Sequence, residues 1–142
     1  MSFFRPSDRD VSIGLLVLRL AAAAVFIDHG YQKLFGMGFG GVTGAFTHMG
    51  VPMPGAFGPL IALLEFFGGI ALALGFLTRL VALGFVCDML GAILLVQLKN
   101  GFSRYGLEFM LLGASLALVF AGAGRFSIDR MLGERQARKR GV

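Results

Sequence analysis

An all-α, integral membrane four-helix bundle is the fold class this sequence predicts, and three observations lead to it. The chain of 142 residues is 56% hydrophobic and only 15% charged, with a mean hydropathy of +0.80, more apolar surface than a soluble domain of this size can hide in its own core. Its apolar residues fall into four long runs separated by short polar or glycine-rich breaks. It also holds 22 Gly and no Trp, and small residues let membrane helices approach closely where lipid provides no hydrophobic drive for association.

The elements follow in order. The domain reading is a cytoplasmic N-terminus at 1–10, a four-span membrane domain at 11–124 and a basic cytoplasmic tail at 125–142. The first span, about 11–35, is long enough to cross roughly 30 Å of hydrocarbon at about 1.5 Å per residue, although Arg19, Asp28, His29 and Lys33 interrupt it. Arg5 and Arg9 ahead of the apolar run, with Ala21 to Ala24 behind it, also fit a cleavable signal peptide. Arg19 inside the apolar region, and apolar character continuing past the cleavage point, argue for the span. Residues 36–58 are rich in Gly and include Pro52 and Pro54, which predicts a loop, with at most a short interfacial helix. The second span, 59–77, opens on Pro59, a residue a helix start tolerates, and the third covers 80–98. Only Thr78 and Arg79 separate them, so they form an antiparallel hairpin. Lys99 to Arg104 make a polar turn before the fourth span, 105–121.

Arg5, Arg9, Arg79 and the six basic residues from Arg125 to Arg140 fall on one side of this arrangement, against Lys33, Lys99 and Arg104 on the other. Cytoplasmic segments accumulate Lys and Arg, so both termini are predicted to be cytoplasmic. The net charge of +5 is accounted for by the tail and does not require nucleic acid. Cys87 is the single cysteine, which excludes an intramolecular disulfide and a CxxC redox pair.

Each span carries a carboxylate: Asp28, Glu65, Asp88 and Glu108. Ionisable side chains are costly in hydrocarbon, so they turn inward and find partners. Counting from the span ends places Asp28, His29, Lys33, Glu65 and Glu108 in the outer half of the bundle, and Arg19 and Asp88 near the middle, where they would form a mutual ion pair. At about 100° per residue, Arg19, Phe26, Gly30 and Lys33 share a narrow arc with His29 beside it, while Asp28 points almost opposite to Arg19. Two readings of the polar cluster stay open: structural pairs that fix helix register, or a quinone or small-molecule site. A di-iron centre would need Glu-x-x-His pairs on two helices, and no such spacing occurs, so no metal is expected. His48 reads as an exposed or interfacial side chain rather than a ligand. The string from Gly36 to Gly41 lacks the preceding strand of a dinucleotide-binding fold.

The stretches LRLAAAAVFIDHGYQKLFG (18–36), GVPMP (50–54), EFFGGIALALGFLTRLVAL (65–83), YGLEFMLL (105–112) and GAGRFSID (122–129) together resemble the DoxX family. Their order is kept over most of the chain, and Arg19, His29, Gly30, Lys33, Glu65, Thr78, Arg79, Glu108, Arg125 and Asp129 belong to the family pattern. The resemblance implies a small four-helix, multi-pass protein of a bacterial-type inner membrane, associated with quinone-linked redox, oxidative-stress or detoxification chemistry. It would then bind a membrane quinone. His29, Arg19 and Lys33 would hydrogen-bond the head group, Phe66 and Phe67 would flank the ring, and His29, Glu65 and Glu108 would exchange protons. With no electron carrier of its own to recognise, the chain would act through a redox partner subunit, with homo-oligomerisation open. The alternatives are a non-enzymatic structural or assembly partner and a small-molecule binding or transport protein.

Overall fold

A computed structural model describes residues 4–141. The chain is helical from Asp8 onward except for short turns, and four of its helical stretches are long and apolar enough to cross a membrane: Asp8–His48, Pro54–Leu74, Thr78–Asn100 and Phe102–Ala121. Large apolar side chains such as Val17, Phe67, Leu80, Leu94 and Phe120 point outward along these stretches, as expected where lipid is the solvent.

The first stretch comprises α1 (Asp8–Tyr31), a π-helical segment (Gln32–Met37) and α2 (Gly38–His48). Ser7 starts α1 with a capping box, its side chain accepting from the Asp10 amide while the Asp10 carboxylate accepts from the Ser7 amide, which satisfies two donors a helix start would leave open. The second stretch comprises α3 (Pro54–Leu63), a second π segment (Leu64–Gly68) and α4 (Gly69–Leu74). The third is α5 (Thr78–Gly91), followed by a third π segment (Ala92–Gln97) and a 3₁₀ turn (Leu98–Asn100). The fourth is α6 (Phe102–Ala121), and α7 (Ile128–Lys139) follows it outside the bundle.

The four stretches run alternately up and down. The first packs against the second and against α6, and α5 packs against α6 and the second π segment. Phe26 of α1 and Phe85 of α5, both fully buried, stack across the centre with ring centroids 3.6 Å apart and planes 4° from parallel. Ala22, Ala23, Leu72, Ala82, Leu111 and Leu118 surround them. Gly30 lets the first two stretches approach closely, since a Cβ there would collide with the Phe66 backbone.

Two expectations need correcting. Residues 36–58 are not mainly a loop, because α2 occupies Gly38–His48 and only 49–53 remain as a turn before α3. Gly38, at φ 69° and ψ 171°, redirects the chain there. Val42 is then fully buried in the space that Gly58 of α3 leaves open. Packing thus overrides the weak helix propensity of glycine. The second span begins at Pro54 rather than Pro59, so Pro59 lies inside the helix. Within the basic tail runs α7, with none of its residues buried; residues 1–3 and 142 of the terminal segments lie outside the described residues. In α7, Arg130 pairs with Glu134 at 2.6 Å, which holds the Glu134 carboxyl below its ordinary range.

Candidate functional site

Two polar centres lie inside the bundle, at different levels. The first is Arg19, which is 1% exposed. Helical side chains lean toward the helix N-terminus, and this one extends toward the end of the bundle that carries both termini. Its guanidinium donates to the carbonyls of Leu72 (3.0 Å) and Ala73 (3.1 Å) in the last turn of α4, and to those of Ala123 (2.5 Å) and Phe126 (3.0 Å) between α6 and α7. Last-turn carbonyls have no partner inside their own helix and form the negative end of its dipole. The expected ion pair between Arg19 and Asp88 does not form. Arg19 is held by backbone oxygens, and the carboxylate acting on it is that of Asp129.

Asp129 also organises this end. Its carboxylate accepts from the Leu77 amide at 2.7 Å and the Thr78 amide at 2.9 Å, so it caps α5 from 52 residues away in sequence. The turn before α5 needs Gly75 at φ 67°, because a side chain there would meet Ser127 and the Arg19 guanidinium. Arg79 donates to the Phe120 carbonyl at the end of α6.

The second centre joins three spans. The Lys33 ammonium, in the first π segment, donates to the Glu65 carboxylate in the second. The Lys33 side chain is 19% exposed and that of Glu65 only 3%. Asp88, buried near the end of α5, lies within the electrostatic reach of both Glu65 and Lys33, and its Oδ2 is buried with no hydrogen-bond partner. Glu65 is therefore near the middle of its stretch, twelfth of the 21 residues from Pro54 to Leu74, rather than in the outer part. The early start of α3 accounts for the shift and brings Glu65 level with Asp88.

Beside this centre, Tyr31, Phe35, Phe66 and Phe67 form a continuous aromatic wall with successive ring centroids 5.0 to 5.6 Å apart. Phe66 is half-buried, while Tyr31, Phe35 and Phe67 face outward. Two of the three π segments contain charged members of the centre and the third begins four residues after Asp88. Such segments recur at functional sites, where the wider turn re-aims side chains.

The remaining candidates lie elsewhere. No hydrogen bond or ion pair joins His29 or Glu108 to this centre among the described residues. His29 is half-buried beside Gly30. Glu108 is half-buried on α6, its Oε2 buried without a partner, on the stripe that continues through Leu111, Ser115 and Leu118. Asp28 faces outward and accepts from Gln32 at 2.7 Å. His48 is exposed. Sequence reasoning missed the meeting of Asp88 with Glu65 and the capping role of Asp129. The first was within reach, since Ala82, Phe85 and Asp88 follow one another at helical spacing along the buried face of α5.

Comparison with known proteins adds a lineage. The family model described as DoxX matches residues 14–98. The chain is 36% identical over 127 residues to "Inner membrane protein YqjF" of Escherichia coli (strain K12), covering 87% of this chain and 95% of that protein. It is 34% identical over 137 residues to "Uncharacterized membrane protein Rv3486" of Mycobacterium tuberculosis (strain ATCC 25618 / H37Rv), covering 85% and 82%. It is 32% identical over 123 residues to "Putative oxidoreductase CatD" of Bacillus subtilis (strain 168), covering 86% and 89%. No solved structure matches the chain.

Proposed function

The chain belongs to the DoxX family, and from that premise we propose that it is the quinone-binding membrane subunit of a redox system, with Lys33, Glu65 and Asp88 as its polar site. The observation that carries the reading is the juxtaposition of a partly exposed ammonium, two buried carboxyls and an aromatic wall that faces lipid. A quinone presents an apolar ring that stacks on aromatic faces and carbonyl oxygens that accept hydrogen bonds. Lys33 is the donor for such a carbonyl, Phe66 and Phe67 flank the ring, and Glu65 with Asp88 hold one of the two protons that a quinone takes up with two electrons on reduction to the quinol, the second coming from solvent. Counting charges supports that role, since one ammonium and two carboxyls are neutral together when the carboxyls share a single proton, and a neutral cluster is the least costly in hydrocarbon.

Arg19 leaves the ligand-binding set in this reading, because its guanidinium is committed to four backbone carbonyls. His29 and Glu108 stand as secondary proton-exchange groups outside the central contact. In this reading a partner subunit supplies the electrons, because Cys87 as a single cysteine cannot form an internal redox dithiol. The oxidoreductase name of the Bacillus subtilis relative supports the redox class, and the name of the Escherichia coli relative supports an inner-membrane location.

The test is quinone extracted from protein purified in mild detergent, quantified by mass spectrometry and by titration. Wild type should retain quinone and Asp28→Asn should match it, whereas Lys33→Met should weaken binding roughly 10- to 100-fold, the worth of one hydrogen bond to a charged group. Wild-type protein that carries no quinone and binds none on titration would end this reading.

The same reading places both termini in the cytoplasm, on the positive-inside asymmetry. In a Cys87→Ser background, a cysteine at Thr47, exposed near the end of α2, should react with a membrane-impermeant maleimide in intact cells. Labelling only after the cytoplasm is opened reverses the orientation.

A further inference from the structure

The tail helix α7 presents a surface that neither the fold nor the quinone site uses. It is 12 residues long and buries none of them. A helix of that length is marginal in water on its own, so its order calls for a surface to lie against. Its start is fixed to the bundle. The Asp129 amide donates to the Gly75 carbonyl at 2.9 Å, the Asp129 carboxylate caps α5, and Ser127 caps α7 itself through the Arg130 amide. The helix therefore leaves the bundle at the level where α4 ends and α5 begins, the polar boundary of the spans.

Its faces are sorted. At about 100° per residue, Ile128, Met131, Leu132, Arg135 and Lys139 fall within an arc of about 100°, apolar near the bundle and basic beyond it. Met131 is 56% exposed and Leu132 41%, with Phe126 just upstream at 48%. Glu134 is ion-paired by Arg130 and also lies in the field of Arg138, leaving Arg135, Lys139 and Arg140 without an ion pair among the described residues. Arg125 and Arg130 also line a cleft of about 550 Å³ at this end, together with Asp8, Ser12 and Gly124.

We infer that α7 docks along the membrane interface on anionic phospholipid, with Met131 and Leu132 dipping toward the acyl boundary and Arg135, Arg138 and Lys139 meeting the phosphates. Charge complementarity selects this occupant, and continuity with the spans places it within reach. Apolar residues seated at the boundary with basic residues at the headgroups is the arrangement of interfacial helices, and each basic residue near an anionic surface contributes about fivefold.

The experiment reconstitutes the full-length Cys87→Ser chain in nanodiscs, with a spin label at Met131→Cys, and measures the label's accessibility to oxygen against a water-soluble nickel chelate. In nanodiscs containing phosphatidylglycerol the label should sit at the interface, and raised salt should release it. In pure phosphatidylcholine, or after Arg135→Gln, Arg138→Gln and Lys139→Gln together, it should move toward water, a shift on the order of 100-fold in docking equilibrium for three charges. A label equally buried in both lipids, or unmoved by the triple substitution, would overturn the electrostatic assignment. So would a label that stays in water in both lipids or becomes protected only when a soluble protein is added.

Discussion

Arg19→Met is expected to destabilise the protein by roughly 3–5 kcal/mol, the range for removing one side of a buried charged contact. The loss is not of an ion pair. Methionine fills much of the volume but removes the guanidinium from four carbonyls, leaving those of Ala73, Ala123 and Phe126 without that donor while Leu72 keeps the Gly75 amide, and a buried polar group left unpaired costs about 1–3 kcal/mol. Arg19→Lys should recover only part of the loss, because a single ammonium cannot spread its donors across two chain segments as a planar guanidinium does. Arg79→Met is the comparison. Arg79 is exposed and makes one bond, 3.3 Å to the Phe120 carbonyl, so its removal should cost about 0.5 kcal/mol or less. Unfolding in detergent, followed by helical circular dichroism, measures all three. An Arg19→Met midpoint as close to wild type as that of Arg79→Met would mean that these carbonyls do not depend on the arginine.

The second large effect is expected at Lys33 and Glu65, and a double-mutant cycle reads it. Lys33→Met leaves the Glu65 and Asp88 carboxyls, which act on one another, without their cation, and Glu65→Met leaves a half-buried ammonium without its ion-pair partner. Each single change should cost about 3 kcal/mol, while the double variant Lys33→Met/Glu65→Met should recover about 2–3 kcal/mol of their sum, because an apolar pair of similar volume replaces a buried ion pair at little net cost. Additive losses would show that the pair does not act as a unit. The double variant also separates the two readings of the centre. A stable bundle that no longer retains quinone assigns the pair to ligand binding, and a stable bundle that retains it in full leaves the pair with register alone.

The spans were legible because lipid imposes a length and a composition on any helix that crosses it, and these four runs meet both. Polar exceptions inside the runs were legible for the same reason, which is why Arg19, Lys33, Glu65, Asp88 and Glu108 stand out before any coordinates are seen. Their partners were harder to read. Arg19 is bound by main-chain oxygens, which every residue carries, so no side-chain type marks them. The pairing with Asp88 follows from opposite charge and a similar depth along the spans, and neither of those registers a main-chain acceptor. The helix at Gly38–His48 was hidden because local propensity argues against it and packing on α3, as at Val42 against Gly58, stabilises it. Counting from Pro59 puts Glu65 too near one face, whereas the helix begins one proline earlier, at Pro54.

The arginine staple also bears on how the chain is made. Proteins are synthesised from the N-terminus, and Arg19 enters the membrane with the first span. Two of its acceptors, the carbonyls of Ala123 and Phe126, lie 104 and 107 residues downstream and do not yet exist at that moment. The Asp129 carboxylate is later still. The first span must therefore wait, with a charge incompletely answered, until the last segment leaves the ribosome and folds back beneath α4. Closure of the bundle at this end belongs to the final stage of biogenesis, and a nascent chain arrested before Ala123 would keep Arg19 short of half its acceptors.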